Sequence, residues 1–360
     1  MQNASLPQAG DIIPQGKWYQ EATINGVKMT PRRHSDTSEG RWNSLIEPLL
    51  PFRGEGRVVT DLGCNAGFYS RKLIDLGFKA TGVEKNPMFV SHARYWEESD
   101  PKGLKIIEAD LNEYNIPASH IVLLANVHYW LTPEQVSRLV KKLKKRALYV
   151  IVMGRYRTRE GAVIRGNTKL AKMVSPCGID ALRDVFKGWW ETKTIYGKGE
   201  SYRYYSVIFK NPQLLEKDIE ELTLWPPSMK YKGFSPALNK FIDLVVSGEK
   251  FEPSETDYFR YLKRRNFSEK DRRMEKRIHL VRSITKEGVK VPLGIGKVIN
   301  DVYDENSIWS GDHRFVIAKR TGIKKLICKV RDEVEARQAY AIKRQSAAWR
   351  EREKNPEWKW

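Results

Sequence analysis

The sequence predicts an α/β protein: a doubly wound parallel sheet followed by a second, smaller α+β domain. Three observations carry that expectation. Short apolar runs alternate with amphipathic stretches between about residues 41 and 210, the pattern of a sheet covered by helices on both faces. A glycine-bearing turn, DLGCNAGFYS, follows the first of those runs, where a ligand-binding turn belongs in such a sheet. Beyond Asn211 the texture changes to NPQLLEKDIEELTLWPPSMKYKGFSPALNK, read as an acidic helix followed by paired prolines. The expected division is a first domain over residues 1–212, a linker over 213–232, a second domain over 233–340 and a helical basic tail over 341–360.

Taken in order, RVVTDLG, FKATGVEK, LKIIEAD, HIVLLANV and ALYVIVMG read as successive strands, and SRKLIDLG, MFVSHARYWEE and PEQVSRLVKKLKKR as the helices between them. The helix GIDALRDVF comes next, then WWETKTIYG and YRYYSVIFK; the second of these alternates as an antiparallel strand would, so the sheet ends mixed. The second domain offers the basic amphipathic stretch DYFRYLKRRNFSEKDRRMEKRIHLVRSITKEG, two short strands around VPLGIGKVI and SIWSG, the helix DHRFVIAKRTG and the strand KKLICKV.

With 360 residues, 41% of them hydrophobic, the chain has material for two cores. It has no apolar run of about 18 residues, and its opening MQNASLPQAGDIIPQGKW lacks both a basic start and a signal-like apolar stretch, so a soluble, cytoplasmic protein without a membrane partner is expected. Cys64, Cys177 and Cys328 are too scattered for a disulfide framework or a clustered structural metal. Lys and Arg total 64 against 44 Asp and Glu, a net charge of +20, which draws polyanions by electrostatics and counterion release. Nucleic acid or a nucleotide-derived substrate is the partner class this favours; a basic solubility surface is the alternative.

The strand VVTDLG runs into Gly63-Cys64-Asn65-Ala66-Gly67, whose glycines let the backbone approach a ligand closely. Glu84 stands at the tip of the next strand, where a carboxylate can accept both hydroxyl protons of a ribose. The dinucleotide fingerprint G-x-G-x-x-G is not met, and Asp61 precedes the first glycine. A buried acid there repels pyrophosphate but pairs with the ammonium group of an amino acid.

DLGCNAGFYS followed by GVEKNP resembles motif I and the acidic second-strand tip of class I S-adenosylmethionine-dependent methyltransferases. The resemblance implies a Rossmann-like methyltransferase sheet with S-adenosylmethionine as cofactor. It places Asp61, Gly63 and Gly67 at the methionine end, Glu84 on the ribose and Asp110, in IIEADLNEY, on the adenine amino group. Cys64 and Asn65 of the same turn and Asn126 at the fourth strand's end complete the expected lining.

The segment LLANVHYWLTPEQ lacks the D/N-P-P-Y/F/W signature that marks enzymes methylating exocyclic amines, so transfer to oxygen or carbon is expected. It is similar instead to oxygen- and carboxyl-directed methyltransferases and to tRNA wobble-uridine carboxymethyl/methyltransferases. GKWYQEATINGVKMTPRRHSDTSEGRWNSLIEPLLP also loosely resembles that group's approach to motif I. His128 is a candidate general base and Tyr129, with Trp130, a candidate stacking surface for a planar substrate, hence the two candidate catalytic residues; hydrogen-bonded or core roles are the alternatives. Arg155, Arg157, Arg159 and Arg165 follow the fifth strand on the ligand edge, placed to receive a phosphate or carboxylate.

A second candidate site is the turn SGDHRF. A helix starting at Asp312 or His313 after Gly311 aims backbone N–H groups outward, and Arg314 adds a cationic fork. With Ala318 and Gly322 the segment resembles the ParB/sulfiredoxin-like superfamily over residues 268–335, which implies phosphate, nucleotide or nucleic-acid binding through Gly311, Asp312, His313 and Arg314. Asp312 stands where the sulfiredoxin-like cysteine would be, which removes thiol chemistry. The combined expectation is an S-adenosylmethionine-dependent methyltransferase acting on a nucleic acid or nucleotide-derived substrate. The alternatives are a small-molecule methyltransferase with a packing domain, and a nucleic-acid-binding or nucleotide-hydrolysing protein whose first domain holds the cofactor without catalysis.

Overall fold

A computed structural model describes residue 18 and residues 20–24, 27–29, 37–155, 179–197, 204–222, 224, 234–264, 270–299 and 302–345. The chain divides into two compact units, Met1–Pro212 and Gln213–Trp360.

In the first unit a short hairpin, β1 (Ala22–Ile24) and β2 (Val27–Met29), precedes α1 (Ser38–Arg41), which Thr37 caps by accepting the Gly40 N–H. A π-helical turn (Trp42–Ile46) leads on to β3 (Val58–Leu62), α2 (Phe68–Asp75), β4 (Lys79–Glu84), α3 (Pro87–Ser99), β5 (Lys105–Glu108) and β6 (Ser119–Ala125). Then come α4 (Pro133–Leu143), β7 (Ala147–Arg155), α5 (Ile179–Val185), β8 (Trp190–Tyr196) and β9 (Tyr204–Lys210). Helix starts follow local chemistry: Asn86 caps α3, and Thr132 and Gln135 close a capping box on α4.

The seven strands lie in the order β5-β4-β3-β6-β7-β9-β8. The first five are parallel, and β9 joins β7 antiparallel with β8 outside it. Strand residues alternate between two cores because successive side chains leave a strand on opposite faces. Ile121, Leu123, Ile151, Met153, Tyr204 and Ile208 pack with Trp42, Leu45 and Tyr69 on one face. Val122, Leu124, Val150, Val152, Tyr205 and Val207 pack with Leu139, Val140 and Leu182 on the other. The unbroken apolar runs of β6 and β7 thus express a sheet covered on both sides.

The second unit is α+β. It begins with β10 (Leu214–Asp218), followed by α6 (Phe234–Ser247), α7 (Asp257–Arg264), α8 (Lys270–Glu287), β11 (Leu293–Ile299), β12 (Val302–Ser310), α9 (Asp312–Arg320), β13 (Lys325–Val330) and α10 (Glu333–Gln345). Its sheet runs β10-β13-β11-β12, with only β11 and β13 parallel, and the core joins α6, α7, α8 and α9 to it.

Two expectations are corrected here. The acidic helix at the start of 213–232 is an edge strand followed by a 3₁₀ turn, so the unit begins at its sheet rather than after a linker. The reason is cross-strand charge: Lys325 on β13 bonds Asp218 at 2.9 Å and lies 3.6 Å from Glu216. The basic stretch carries two of the unit's helices, α7 and α8. Residues 341–345, expected in a separate tail, complete α10, and 346–360 lie outside the described residues. Among the described residues no helix is long and apolar enough to cross a membrane.

Candidate functional site

The chain builds β3, β4 and β5 towards one side, then returns to add β6 and β7 on the other, so the order reverses between β3 and β6. That reversal opens a crevice at the carboxyl ends of the strands, the usual ligand position in a doubly wound sheet. Every first-unit residue that the sequence singles out, and that the structure describes, stands at or beyond one of those ends.

Asp61, near the end of β3, is fully buried. Its Oδ2 accepts the Ser70 hydroxyl at 2.7 Å, while Oδ1 is buried without a hydrogen-bond partner. Burial raises the carboxyl to about 7, with a smaller push from Glu84 and against the pull of the Ser70 bond. The loop then turns through Gly63, in the left-handed region at φ 77°. A Cβ there would also sit 2.5 Å from Val127 Cγ2, so strain and space both require glycine. Gly67 is left-handed too and starts α2, with Gln20 Oε1 receiving the Phe68 N–H at 3.2 Å.

Glu84 closes the turn from the neighbouring strand. Its Oε2 accepts the Asn65 N–H at 3.0 Å, and its Oε1 accepts the N–H groups of Lys85 and Asn86, each at 2.8 Å. One carboxylate thus fixes the loop and the β4–α3 junction together. Asp110, beyond β5, receives Asn112 on Oδ1 and the Lys85 ammonium on Oδ2 at 2.6 Å, and the Lys85 bond holds its carboxyl below the ordinary range. Asn126, beyond β6, lies in the left-handed region at φ 60° with Oδ1 buried and unpartnered. Two orphaned acceptors, on Asp61 and Asn126, therefore stand near the carboxyl ends of the adjacent strands β3 and β6.

Not every expected residue faces it. Cys64 is buried with its thiol pushed up by burial, and a Cβ on Gly82 would meet its Sγ at 2.7 Å. Its side chain packs against β4, so only its backbone belongs to the turn. The His128 ring is 1% exposed and pushed down to about 4 by burial, and a Cβ on Gly154 would lie 2.8 Å from its Cε1. An imidazole so reluctant to take a proton is a poor general base. Tyr129 lies in the 3₁₀ turn His128–Trp130, its side chain outside the described residues, and Trp130 is exposed. Of the four arginines only Arg155 is described; Arg157, Arg159 and Arg165 are not.

Sequence reading missed Ser70, Lys85, Gln20, Arg41 and Tyr204. Ser70 had a signal, since a hydroxyl in the first turn after Gly67 points back at the preceding strand. Arg41 and Tyr204, far apart in the chain, had none.

In the second unit Gly311 starts α9 at φ 108°, where a Cβ would sit 2.5 Å from Leu293 Cδ2, and the helix begins at Asp312 as expected. The cationic fork is not as expected. Arg314 Nη1 donates to the Val291 and Pro292 carbonyls at 2.6 and 3.0 Å, tying the approach of β11 to the turn. His313 Nε2 lies 3.1 Å from the Tyr258 hydroxyl, and burial with nearby Arg277 pushes it down to about 3, so the ring is neutral. Asp312 is exposed on the first turn.

The first unit is therefore of the doubly wound, Rossmann-like type, with an acid-flanked glycine turn at its switch point. No family model and no curated protein matches the chain. Among solved structures, PH0226 protein from Pyrococcus horikoshii OT3 overlaps 48% of this chain and 90% of its own, at TM-score 0.40 and 15% identity. A SAM-dependent methyltransferase from Aquifex aeolicus overlaps 48% and 93% at TM-score 0.39 and 15% identity. Magnesium protoporphyrin IX methyltransferase from Synechocystis PCC 6803, with bound SAH, overlaps 43% and 74% at TM-score 0.37 and 17% identity. Overlaps this partial decide nothing about chemistry, which rests on the residues of the edge.

Proposed function

We propose that the first unit is an S-adenosylmethionine-dependent methyltransferase whose acceptor is a nucleic acid or a nucleotide-derived molecule, methylated on oxygen or carbon. One observation carries the reading. At the switch point Asp61 Oδ1 and Asn126 Oδ1 are buried acceptors without donors, a costly arrangement that a bound ammonium would relieve. The residues fit the cofactor in kind. Asp61 and Asn126 would hold the amino acid's ammonium, and the left-handed Gly63–Gly67 turn lets the chain pass closely. Glu84, held by three N–H groups, retains lone-pair capacity for a ribose hydroxyl. Asp110 would have to release Lys85 to meet an adenine amino group.

The bound cofactor would supply an electrophilic methyl group on a sulfonium. The chain's part is to orient it and to hold an acceptor in line, so proximity supplies most of the rate. His128, buried and neutral, is assigned to packing at the β6 end rather than to proton transfer. The second unit is read as a ParB-like phosphate- or nucleic-acid-binding module, supported by the net charge of +20 and the left-handed start of α9. A rival reading, a small-molecule methyltransferase with a structural second unit, is favoured by one observation: Arg314 is engaged with the carbonyls of Val291 and Pro292.

The first reading is tested by titrating S-adenosylmethionine calorimetrically into the full chain and into Glu84→Ala. Binding in the wild type, weakened at least about tenfold in the variant, is expected; no binding in the wild type would end the reading. Short DNA and RNA duplexes added at increasing salt separate the rivals, because a polyanion partner loses affinity linearly in log salt and a structural unit has none to lose.

A further inference from the structure

Each of α6, α7, α9 and α10 in the second unit carries a cation held by an acid. Lys240 and Arg260 both reach Asp257, Lys319 reaches Glu220, Arg320 holds Asp243 through two bonds at 2.7 Å, and Arg337 reaches Glu333. The long helix α8 differs. Its Lys276, Arg282 and Lys286 are exposed, and none of the three takes part in a hydrogen bond or ion pair among the described residues. From 276 to 286 the sequence KRIHLVRSITK runs for about three turns without an acid.

The helical period decides which way these groups face. Met274, Val281 and Ile284 are buried in the unit's core, which fixes one side of the helix. At about 100° per residue the opposite side falls on Arg272, Lys276, His279 and Lys286, all exposed. Arg282 and Arg273 flank that row on either side. The exposed acids Asp271 and Glu275 both lie in the first two turns, so the face becomes purely cationic towards its carboxyl end. The helix dipole favours a cation only in the last turn, which accounts for Lys286 but not for Lys276 or Arg282. Arg272 with Lys276 and Arg282 with Lys286 are also like charges four residues apart, a spacing that weakens an isolated helix. A polyanion would relieve that repulsion.

We propose that this face of α8 is the surface on which the second unit docks double-stranded DNA, its cations meeting phosphates along the major groove. The inference rests on the reading of the second unit as a nucleic-acid-binding module, and it assigns the contact to α8 because Arg314 of the α9 turn is engaged with the Val291 and Pro292 carbonyls. Charge complementarity is the first argument, since unpaired exposed cations release counterions from a phosphate backbone. Size is the second. The 18 residues of α8 make a rod about 27 Å long and about 10–12 Å across, which matches the roughly 12 Å major groove of B-form DNA. Arg272 to Lys286 spans about 21 Å, the rise of about six base pairs. The deep, narrow major groove of A-form RNA does not admit such a helix. Composition is the third argument: every exposed residue described on α8 is polar or charged, so it lacks the apolar face that a membrane-surface helix inserts.

The test titrates the full chain into a short fluorescent DNA duplex and reads anisotropy at several salt concentrations, with an RNA duplex of the same sequence and a phosphatidylserine vesicle as comparisons. The variant Lys276→Gln, Arg282→Gln, Lys286→Gln removes three cations from the face. A charge-matched control, Lys250→Gln, Lys324→Gln, Lys329→Gln, removes three exposed cations that lie off α8. The α8 variant should weaken the DNA duplex at least about tenfold and make the slope against log salt shallower by about two to three, while the control stays within about threefold. If the triple variant melts early, Arg282→Gln and Lys286→Gln are read singly, each with a slope shallower by about one. Unchanged DNA affinity in the α8 variants, or an equal loss in the control, overturns the inference and leaves the module reading standing. Binding to the RNA duplex or the vesicle as tight as to the DNA duplex overturns the assignment to DNA. No binding of either nucleic acid by the wild type overturns the module reading, and the inference falls with it.

Discussion

If the Asp61 carboxyl receives the ammonium of S-adenosylmethionine, cofactor affinity must depend on pH in a way the structure fixes. In the free chain burial raises Asp61 to about 7, so below that pH the group is largely protonated and neutral. An ammonium against Oδ1 favours the ionised form and drives the proton off on binding. With the bound-state carboxyl back in the ordinary range, the dissociation constant scales with the protonated excess of the free chain. It should fall about 25-fold from pH 5.5 to 7.5, or about 2 kcal/mol. At pH 6.0 about 0.9 proton should leave per cofactor bound. Calorimetry at these pH values, in two buffers of different ionisation enthalpy, reads both quantities. Asp110, held below the ordinary carboxylate range, and His128, at about 4, titrate below the window. Asp61→Asn keeps an acceptor for Ser70 but loses the titration, so its affinity should be weaker and flat. A wild-type change under about threefold across the window, or the same slope in Asp61→Asn, would refute the reasoning.

The same shift acts on stability with its own sign. A carboxyl whose folded pKa lies above its unfolded value leaves stability intact in acid and removes it as pH rises from about 4 to 7. Asp61→Asn should therefore raise the unfolding free energy of the cofactor-free chain at pH 8 by at most about 4 kcal/mol, read as a higher melting temperature, and have no stabilising effect near pH 4. His128 and His313 act oppositely, since folded values of about 4 and about 3 lie below the ordinary 6.5. Their stability is complete above pH 6.5 and lost as pH falls below it, so acid denaturation curves should be shallower in His128→Asn than in wild type. Arg314→Ala should cost about 1–3 kcal/mol of unfolding free energy by leaving the Val291 and Pro292 carbonyls unserved. If it instead abolishes nucleic-acid binding with stability unchanged, the fork serves a ligand rather than the fold.

The first unit's strands were legible because each is buried on both faces or alternates, and because the intervening helices carry the 3.6-residue period. The position of the glycine turn at the switch point was legible for a related reason: its acid and glycines are contiguous, and Glu84 follows at the tip of the very next strand. Where reading failed, the missing information was tertiary. LLEKD has the leucine–acid mix of a helix start, and only Lys325, more than a hundred residues on, makes it an edge strand. Arg314 looked like an outward fork because sequence cannot reveal the carbonyls of Val291 and Pro292 waiting beside it. His128 looked like a base because its ordinary pKa suits one, whereas its pKa in the fold is set by what buries it.

Arg41 and Tyr204 illustrate the same limit from the other side. Neither belongs to a motif, and they meet only because β9 inserts antiparallel between β7 and β8, bringing the start of one strand to the end of another. Asp61 differs from both cases. Its sequence position announces an acid, but the decisive fact is energetic: the fold buries a carboxyl oxygen without a donor and accepts a strongly raised pKa. A hydroxyl or apolar residue would serve the strand at no such cost, so the misfit has to be offset by something the free chain lacks. A cationic group at the switch point would offset it, and the strand order reverses between β3 and β6, where a doubly wound sheet takes its ligand.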